Sequence, residues 1–225
     1  MSGFDPHRVI DVLARHKVEF VVIGGFAAEL YQAPIPPTHD IDITPRMTEP
    51  NLARLSGALQ ELRARVRTEG VPEGLPFSHD ATSLARTTMW NLTTDAGDFD
   101  LSFRPTGTDG YDDLAGNAVV LEVAGHDVAV AALVDVVRSK TAAGRPKDHA
   151  TLDTLRQWAS SLQGVSVEEL RERMGHALRE RSTEPGARDR LARHEKVPAQ
   201  PLGTGTINPS QPLGRDQGSI GPYER

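Results

Sequence analysis

The chain has 225 residues, of which 38% are hydrophobic and 25% charged, and its formal net charge is −6. This length allows one domain with a tail, and an acidic chain is not expected to coat nucleic acid by charge alone. The absence of cysteine excludes disulfides, thiolate zinc sites and a cysteine nucleophile. No apolar run reaches the roughly 18–20 residues of a membrane span, and the N-terminus lacks a secretory pattern, so we expect a cytoplasmic protein with no membrane partner.

Helical and extended patterns alternate along the chain. In chain order, they predict a helix at 6–16, a strand at 20–23, a helix at 26–31, a strand at 39–44, a helix at 49–66, strands at 87–93, 99–104, 118–123 and 126–130, and helices at 131–143, 147–162 and 166–181. We therefore expect the α/β (α+β) class, with a mixed sheet flanked by helices and a C-terminal helical segment.

The body and the tail of the chain differ in composition. Residues 1–182 hold all the predicted elements and are expected to form one domain. Residues 183–225 are rich in proline and glycine and have little to bury, so ordering them would cost more entropy than burial returns. We predict a disordered tail, with a partner-binding arm as the functional alternative.

Two carboxylates stand on the strand predicted at 39–44. Asp40 and Asp42 are two residues apart, so both face one side of the sheet while Ile41 and Ile43 face the core. Parallel carboxylates repel each other unless a cation lies between them, and oxygen ligands of this kind favour Mg²⁺ or Mn²⁺. A solvated strand face remains the alternative for an isolated pair.

A third carboxylate on a neighbouring strand would complete a two-metal site, which activates an attacking oxygen and neutralises a leaving pyrophosphate. Asp100 is the first candidate, because its strand follows a tight turn and can lie beside the first pair. Asp98 has the same strand parity but lies nearer the turn, and it ranks second.

Paired glycines precede these carboxylates. Gly24 and Gly25 separate a buried strand from a helix, where the absence of a Cβ lets backbone amides approach a phosphate. The pair is also compatible with a simple strand-to-helix turn. It is neither a P-loop nor a dinucleotide-binding fingerprint.

A basic cluster follows the helix predicted at 131–143. Its cations are Arg138, Lys140, Arg145 and Lys147, with Asp148 beside them. Such cations can clamp a triphosphate as charge moves to the leaving group. They can equally offset the dipole at a helix C-terminus and pair with nearby carboxylates.

Taken in order, these features resemble the polymerase-beta-like nucleotidyltransferase superfamily, and in particular its AbiEii/MenT-type group, which includes type IV toxin–antitoxin toxins. The matching segments are residues 22–25, 38–42, 97–101 and 139–148, within a resemblance that spans roughly residues 8–160. The chain departs from the fullest superfamily pattern at Phe26, where that pattern has serine, so phosphate contacts would come from backbone amides alone.

The resemblance implies the nucleotidyltransferase fold, an NTP substrate, and roles for individual residues. Asp40, Asp42 and Asp100 would hold Mg²⁺, and Lys140 would contact the triphosphate as a catalytic residue. The implied nucleotide-binding set is Gly24, Gly25, Lys140, Arg145, Lys147 and Asp148. Thr38 would lie at the mouth of the site, where phosphorylation would add negative charge beside the carboxylates and silence the enzyme.

Three functions stay open on the sequence. The first is a toxin-like enzyme that adds nucleotides to the 3′ end of tRNA, with a cognate antitoxin protein as partner; the basic cluster and the matched segments favour it. The second is a small-molecule nucleotidyltransferase that modifies an aminoglycoside or lincosamide hydroxyl. The acidic net charge favours that function, and Asp109, Asp112 and Asp113 could attract a cationic drug. The third is a binding module that kept the fold without catalysis.

Overall fold

A computed structural model of the chain describes residues 4–123 and 125–183, except the side chains of Lys147 and residues 181–183. The tail predicted at 183–225 therefore lies outside the described residues, apart from Thr183 at the end of the last helix. Within the described part, no helix has the length and apolar character needed to cross a membrane.

Eight strands form one mixed sheet. They are β1 (Phe20–Ile23), β2 (Asp40–Pro45), β3 (Arg65–Thr68), β4 (Val71–Leu75), β5 (Met89–Thr94), β6 (Gly97–Ser102), β7 (Val119–Val123) and β8 (His126–Val130). The strand order is β4-β3-β5-β6-β2-β1-β8-β7. The pairs β2–β6 and β1–β8 are parallel, and the other neighbours are antiparallel. The predicted mixed sheet is confirmed.

Helices occupy the connections and the C-terminal end of the described chain. They are α1 (Pro6–Arg15), α2 (Gly24–Leu30), α3 (Glu49–Glu61), α4 (Ala81–Leu84), α5 (Tyr111–Ala115), α6 (Leu133–Ala143), α7 (Pro146–Ser161) and α8 (Val167–Thr183). The Asp5 side chain caps α1 by accepting a hydrogen bond from the Arg8 amide at 3.1 Å. The predicted C-terminal helical segment is confirmed as α6 to α8.

One hydrophobic core joins the sheet to its helices. Ile41 and Ile43 of β2 and Phe99 and Leu101 of β6 are fully buried, so the residues that alternate with them face the opposite side of the sheet. This alternation fixes the register of both strands, because a slip by one residue would expose the apolar side chains.

A hairpin replaces the end of the helix predicted at 49–66. Helix α3 ends at Glu61, Arg63 adopts a left-handed φ of 51°, and the chain then enters β3. Glu69 and Gly70 form a two-residue turn into β4, and Gly70 has the positive φ of 79° that favours glycine in such turns. Pairing of β3 with β5 overrides the helical pattern at this point.

Candidate active site

The acidic residues meet where β2 and β6 run parallel. Their register places Asp40 opposite Asp98 and Asp42 opposite Asp100. All four side chains are half-buried and lie on the face opposite the core. The predicted third carboxylate, Asp100, therefore lies on the strand adjacent to the first pair. Asp98, the second candidate, lies on the same strand, opposite Asp40.

A cavity of about 480 Å³ opens above this acidic face. It is lined by every predicted site residue whose side chain is described: Gly24, Gly25, Thr38, Asp40, Asp42, Asp100, Lys140, Arg145 and Asp148. The side chain of Lys147 lies outside the described residues. The volume is within the roughly 300–1,000 Å³ of sites for small ligands.

Gly24 makes room for one of the carboxylates. Helix α2 begins at this residue, which has a φ of +70°, and a Cβ built on it would overlap the carboxyl group of Asp42. A Cβ on Gly25 would lie 3.2 Å from the Thr38 Oγ1 atom. The paired glycines therefore allow the start of α2 to approach Asp42 and Thr38 closely.

Thr38 is held beside the acidic face by two hydrogen bonds. Its hydroxyl donates a short hydrogen bond to the Asp40 Oδ1 atom, and its amide donates to the Glu29 Oε1 atom at 3.0 Å. The hydroxyl thus touches the first carboxylate directly.

Arg67 of β3 contacts the acidic face and was missed by the sequence analysis. Its Nη1 atom donates to the Asp98 Oδ2 atom at 2.5 Å, and its Nη2 atom lies 2.8 Å from both carboxylate oxygens of Asp100. The signal that could have revealed this strand is the alternating segment 65–68 followed by the Glu69–Gly70 turn.

Asp100 is more enclosed than Asp98, the other carboxylate bound by Arg67: 14% of the Asp100 side chain is exposed, against 40% of the Asp98 side chain. Burial raises the pKa of Asp100, the charge of Arg67 opposes that shift, and the nearby charge of Asp40 adds to it. The net shift is upward, so desolvation and Asp40 outweigh the guanidinium. The charge of Asp40 therefore works against the ionised form of Asp100.

A sharp joint between α6 and α7 brings two further predicted residues together. Gly144 ends α6 in a left-handed conformation, and Pro146 occupies the first turn of α7, both of which are common at such boundaries. The joint places the Lys140 Nζ atom 2.7 Å from the Asp148 Oδ1 atom. Asp148 is 4% exposed, so this ion pair is largely buried.

Several charged residues around the first cavity form ion pairs with one another. Arg138 pairs with Asp113 at 2.8 Å and with the buried Asp135 at 3.0 Å. Asp109 pairs with Arg104, and Asp112 pairs with Arg46. These pairs partly offset the charge of Arg138 in the basic cluster, and that of Asp109, Asp112 and Asp113, which were expected to attract a cationic drug.

A second cavity of about 530 Å³ adjoins the first and shares Asp40, Asp42 and Asp100 with it. It extends along β3 and β5, where polar side chains dominate. Its additional lining residues are Arg67, Thr68, Glu69 and Asn91. Arg145, which is exposed, lines both cavities.

The donor set suits a hard divalent cation at Asp40 and Asp42, which present carboxylate oxygens to both cavities. Asp100 is different, because both of its oxygens accept from Arg67. Within residues 4–123 and 125–183, no group of three or more histidine, aspartate or glutamate side chains is placed to hold a metal. The arrangement thus fits an ion with two protein carboxylates, completed by water or substrate oxygens, as is usual for Mg²⁺.

Comparisons with protein-family models and with curated proteins give no match to this chain. Solved structures give distant likenesses. The antibiotic-resistance factor ANT(2'')-Ia in solution is 18% identical over 84% of this chain and 94% of its own, with a TM-score of 0.42. Its crystal structure in complex with adenylyl-2''-tobramycin is 18% identical over 79% of this chain and 97% of its own, with a TM-score of 0.44.

A proposed nucleotidyltransferase from Thermotoga maritima is 21% identical over 68% of this chain and 89% of its own, with a TM-score of 0.38.

Proposed function

We propose that the chain is a metal-dependent nucleotidyltransferase, which joins the nucleoside monophosphate of an NTP to an acceptor hydroxyl. One observation carries the proposal: a single cavity collects two carboxylates of one strand, a third carboxylate of the adjacent parallel strand, paired glycines and a buried lysine–aspartate pair. Each of these features is common alone. Their convergence is what nucleotidyl transfer requires, namely phosphate contacts, a cation site and a positive group near the leaving pyrophosphate.

The first cavity is proposed to take the NTP. Gly24 and Gly25 begin α2 and line this cavity, so the NTP phosphates would approach the backbone at the start of that helix. Lys140, positioned by Asp148, and the exposed Arg145 offset the charge that moves to the β- and γ-phosphates when the bond between the α-phosphorus and its bridging oxygen breaks. The acceptor hydroxyl releases its proton to water as its oxygen forms the new bond to the α-phosphorus, and pyrophosphate leaves with the electron pair of the broken bond. Lys147 stays in the proposed nucleotide-binding set on sequence grounds.

Asp40 and Asp42 are proposed to hold Mg²⁺ or Mn²⁺, with Asp100 on the adjacent strand; the ion would polarise the α-phosphate and neutralise charge at the reacting oxygens. Asp40 is fixed by the hydroxyl of Thr38, and Asp42 is set by its close approach to Gly24. The chain therefore presents both carboxylates in fixed positions, so little reorganisation is needed when substrate arrives.

The second cavity is proposed to take the acceptor, because it meets the first at the three aspartates. We favour a toxin-like enzyme that acts on the tRNA 3′ end, with an antitoxin protein as partner, since the exposed Arg145 lines both cavities and can meet a phosphodiester backbone. The alternative acceptor is a small molecule of the aminoglycoside or lincosamide type. A polar cavity of about 530 Å³ has the size of a small-ligand site, which favours that alternative.

The test is to incubate the full chain with Mg²⁺, each labelled NTP in turn, and either bulk tRNA or a panel of aminoglycosides and lincosamides. Label on tRNA that is absent with Asp42→Asn supports the tRNA enzyme. Label on a drug alone supports the alternative. If neither acceptor is labelled while NTP binding persists, both acceptor proposals fail, and a chain that binds no NTP is not a nucleotidyltransferase.

Replacement of Gly24 by alanine is expected to lower transfer at least about a hundredfold, because the new Cβ displaces the Asp42 carboxyl group and a shift of about 1 Å can cost that much. Gly125→Ala is the matched control. Gly125 also has a positive φ, +78°, but a Cβ there meets nothing within 4 Å. Both variants carry the same kind of backbone strain, so equal activities of the two would contradict the role of the Gly24–Asp42 contact.

Thr38 is proposed as a regulatory position. A phosphate on its hydroxyl would add about −1.5 to −2 charge in contact with Asp40 and so compete with a bound cation. The Thr38→Glu variant is expected to bind Mn²⁺ at least about tenfold more weakly, as measured by isothermal titration, while Thr38→Val separates the loss of the hydroxyl from the added charge. Unchanged Mn²⁺ affinity of Thr38→Glu would remove the basis for this regulation.

A further inference from the structure

We propose that Asn91 of β5 determines which acceptors the chain modifies, by binding a hydroxyl group next to the one that receives the nucleotide. The preferred acceptors therefore carry two adjacent hydroxyl groups, as the terminal ribose of a tRNA does and as the sugar rings of aminoglycosides do. The inference rests on the proposed transfer function and on the second cavity as the acceptor site.

The register of the sheet places Asn91 next to the acidic face. In the antiparallel pair of β5 and β6, Asn91 lies opposite Asp100, so the two side chains share the face away from the core. The β-carbons of directly opposite residues are about 4.5–5.5 Å apart. Asp100 lies in turn opposite Asp42 of β2. Asn91 is therefore one strand beyond Asp100, on the side where the second cavity extends.

The side-chain amide of Asn91 is available to a ligand. The residue is exposed and lines the second cavity but not the first. In the part of the chain that the structure describes, no hydrogen bond occupies this amide. Arg67 lines the same cavity, but it directs its donors to the carboxylates of Asp98 and Asp100. The amide of Asn91 thus faces the cavity without a protein partner.

The surroundings of this amide suit a sugar. A carboxamide offers both an acceptor oxygen and N–H donors, so it can bind a hydroxyl group in either sense, whereas a carboxylate only accepts and a guanidinium only donates. Met89 lies two residues earlier on the same face of β5 and is 41% exposed, so it adds apolar surface beside the amide. A sugar ring, with polar hydroxyl groups and apolar C–H faces, matches this pair of side chains.

The position of Asn91 favours contact with the neighbouring hydroxyl over contact with the reacting one. The reacting oxygen must meet the α-phosphorus, which is proposed to lie at Asp40 and Asp42, the carboxylates that line both cavities. Asn91 is separated from their strand by β6 and lines the second cavity alone. It therefore contacts a part of the acceptor that lies further from the α-phosphorus. In a diol, the adjacent hydroxyl is the first such group.

The experiment compares transfer of a labelled NTP to natural tRNA and to tRNAs whose terminal ribose lacks either the 2′- or the 3′-hydroxyl. We expect loss of the reacting hydroxyl to abolish labelling. Loss of its neighbour should lower kcat/KM for the acceptor about tenfold, the equivalent of one hydrogen bond. If a drug is labelled instead of tRNA, the same comparison uses that aminoglycoside and its deoxy analogue, so the two arms distinguish the sources of the diol.

The Asn91→Ala variant assigns this preference to the amide. It should lower kcat/KM for the diol acceptor by the same factor, leave the KM for the NTP unchanged, and have no further effect on the acceptor that lacks the neighbouring hydroxyl. A merely structural role would lower both acceptors alike. Thr93→Ala is the matched control, because Thr93 lies on the same face of the same strand but lines neither cavity, and it should behave as the wild type.

The outcomes separate this inference from the proposed function. If the wild type uses both acceptors equally well, or labels a hydroxyl that has no hydroxyl neighbour, the role of Asn91 is overturned and the transfer function stands; neither result depends on a variant. An equal effect of Asn91→Ala on the two acceptors, or none, also overturns it. If neither tRNA nor any drug is labelled, the inference fails together with the proposed acceptors.

Discussion

The Asp40→Asn variant is expected to lose nucleotidyl transfer by about a thousandfold while keeping, or even gaining, thermal stability. A bound cation contributes several kcal/mol to the stabilisation of transition-state charge, and each 1.36 kcal/mol is a factor of ten in rate. Removal of one of its two carboxylates on β2 should therefore cost at least about 4 kcal/mol. Asparagine keeps the size of the side chain and an oxygen that can accept from the Thr38 hydroxyl.

Stability should move in the opposite direction, because the charge of Asp40 disfavours the ionised form of Asp100 in the metal-free chain. Loss of that charge relieves the repulsion, so the Tm of metal-free Asp40→Asn should equal or exceed that of the wild type. A side chain whose charge lowers stability, as expected for Asp40, is typical of a functional site. Asp127→Asn, an exposed aspartate of β8, is the matched control and should change neither quantity.

A fall in Tm of several degrees in metal-free Asp40→Asn, together with normal transfer, would mean that this carboxylate is structural. The two measurements are a labelled-nucleotide transfer assay and a thermal unfolding curve in the presence of a chelator. Only the combination of lost transfer and retained stability supports a metal-binding role for Asp40.

The acidic face was predictable because burial dictates it. Ile41 and Ile43 must face the core, so Asp40 and Asp42 must share the other face. By the same alternation, Asp100 lies on the face away from the core because its neighbour Leu101 is buried. That β6 pairs with β2 was an expectation from the tight turn before Asp100. The parallel register of Asp42 with Asp100 confirms that expectation.

The position of Arg67 could not be predicted in the same way. Segment 65–68 follows a leucine-rich helix, and its local pattern allows that helix to continue. What makes it a strand is antiparallel pairing with β5, in which Val66 lies opposite Leu92. The ion pair of Arg67 with Asp100 then joins residues 33 positions apart. Local periodicity does not report such pairings, since they depend on which strands become neighbours.

The basic cluster was predicted in part. Gly144 and Pro146 are local signals for a joint, and they do bring Lys140 to Asp148. The pairing of Arg138 with Asp113 depends on how α5 packs near α6, and no sequence pattern announced it. The sequence also left open whether Lys140 serves the triphosphate or only a neighbouring carboxylate, and the observed ion pair is compatible with either role.

Lys140→Met is expected to lower the free energy of unfolding by about 3 kcal/mol, because it leaves the carboxylate of Asp148 buried without its partner. The lower end of the usual range applies, since 21% of the Lys140 side chain is exposed. For a chain of this size the loss corresponds to a fall in Tm of roughly 6–12 °C. Transfer should fall at least about a hundredfold if the ammonium group also stabilises the leaving pyrophosphate.

A double-mutant cycle with Asp148→Asn separates the two roles of Lys140. The Lys140→Met/Asp148→Asn chain has no unpaired buried charge at this pair, so most of the lost stability should return. Transfer should stay low, because the positive group is still missing from the cavity. Recovery of both stability and transfer in the double variant would assign Lys140 to the α6–α7 joint alone, and the positive charge at the leaving group would then have to come from Arg145, which lines the same cavity.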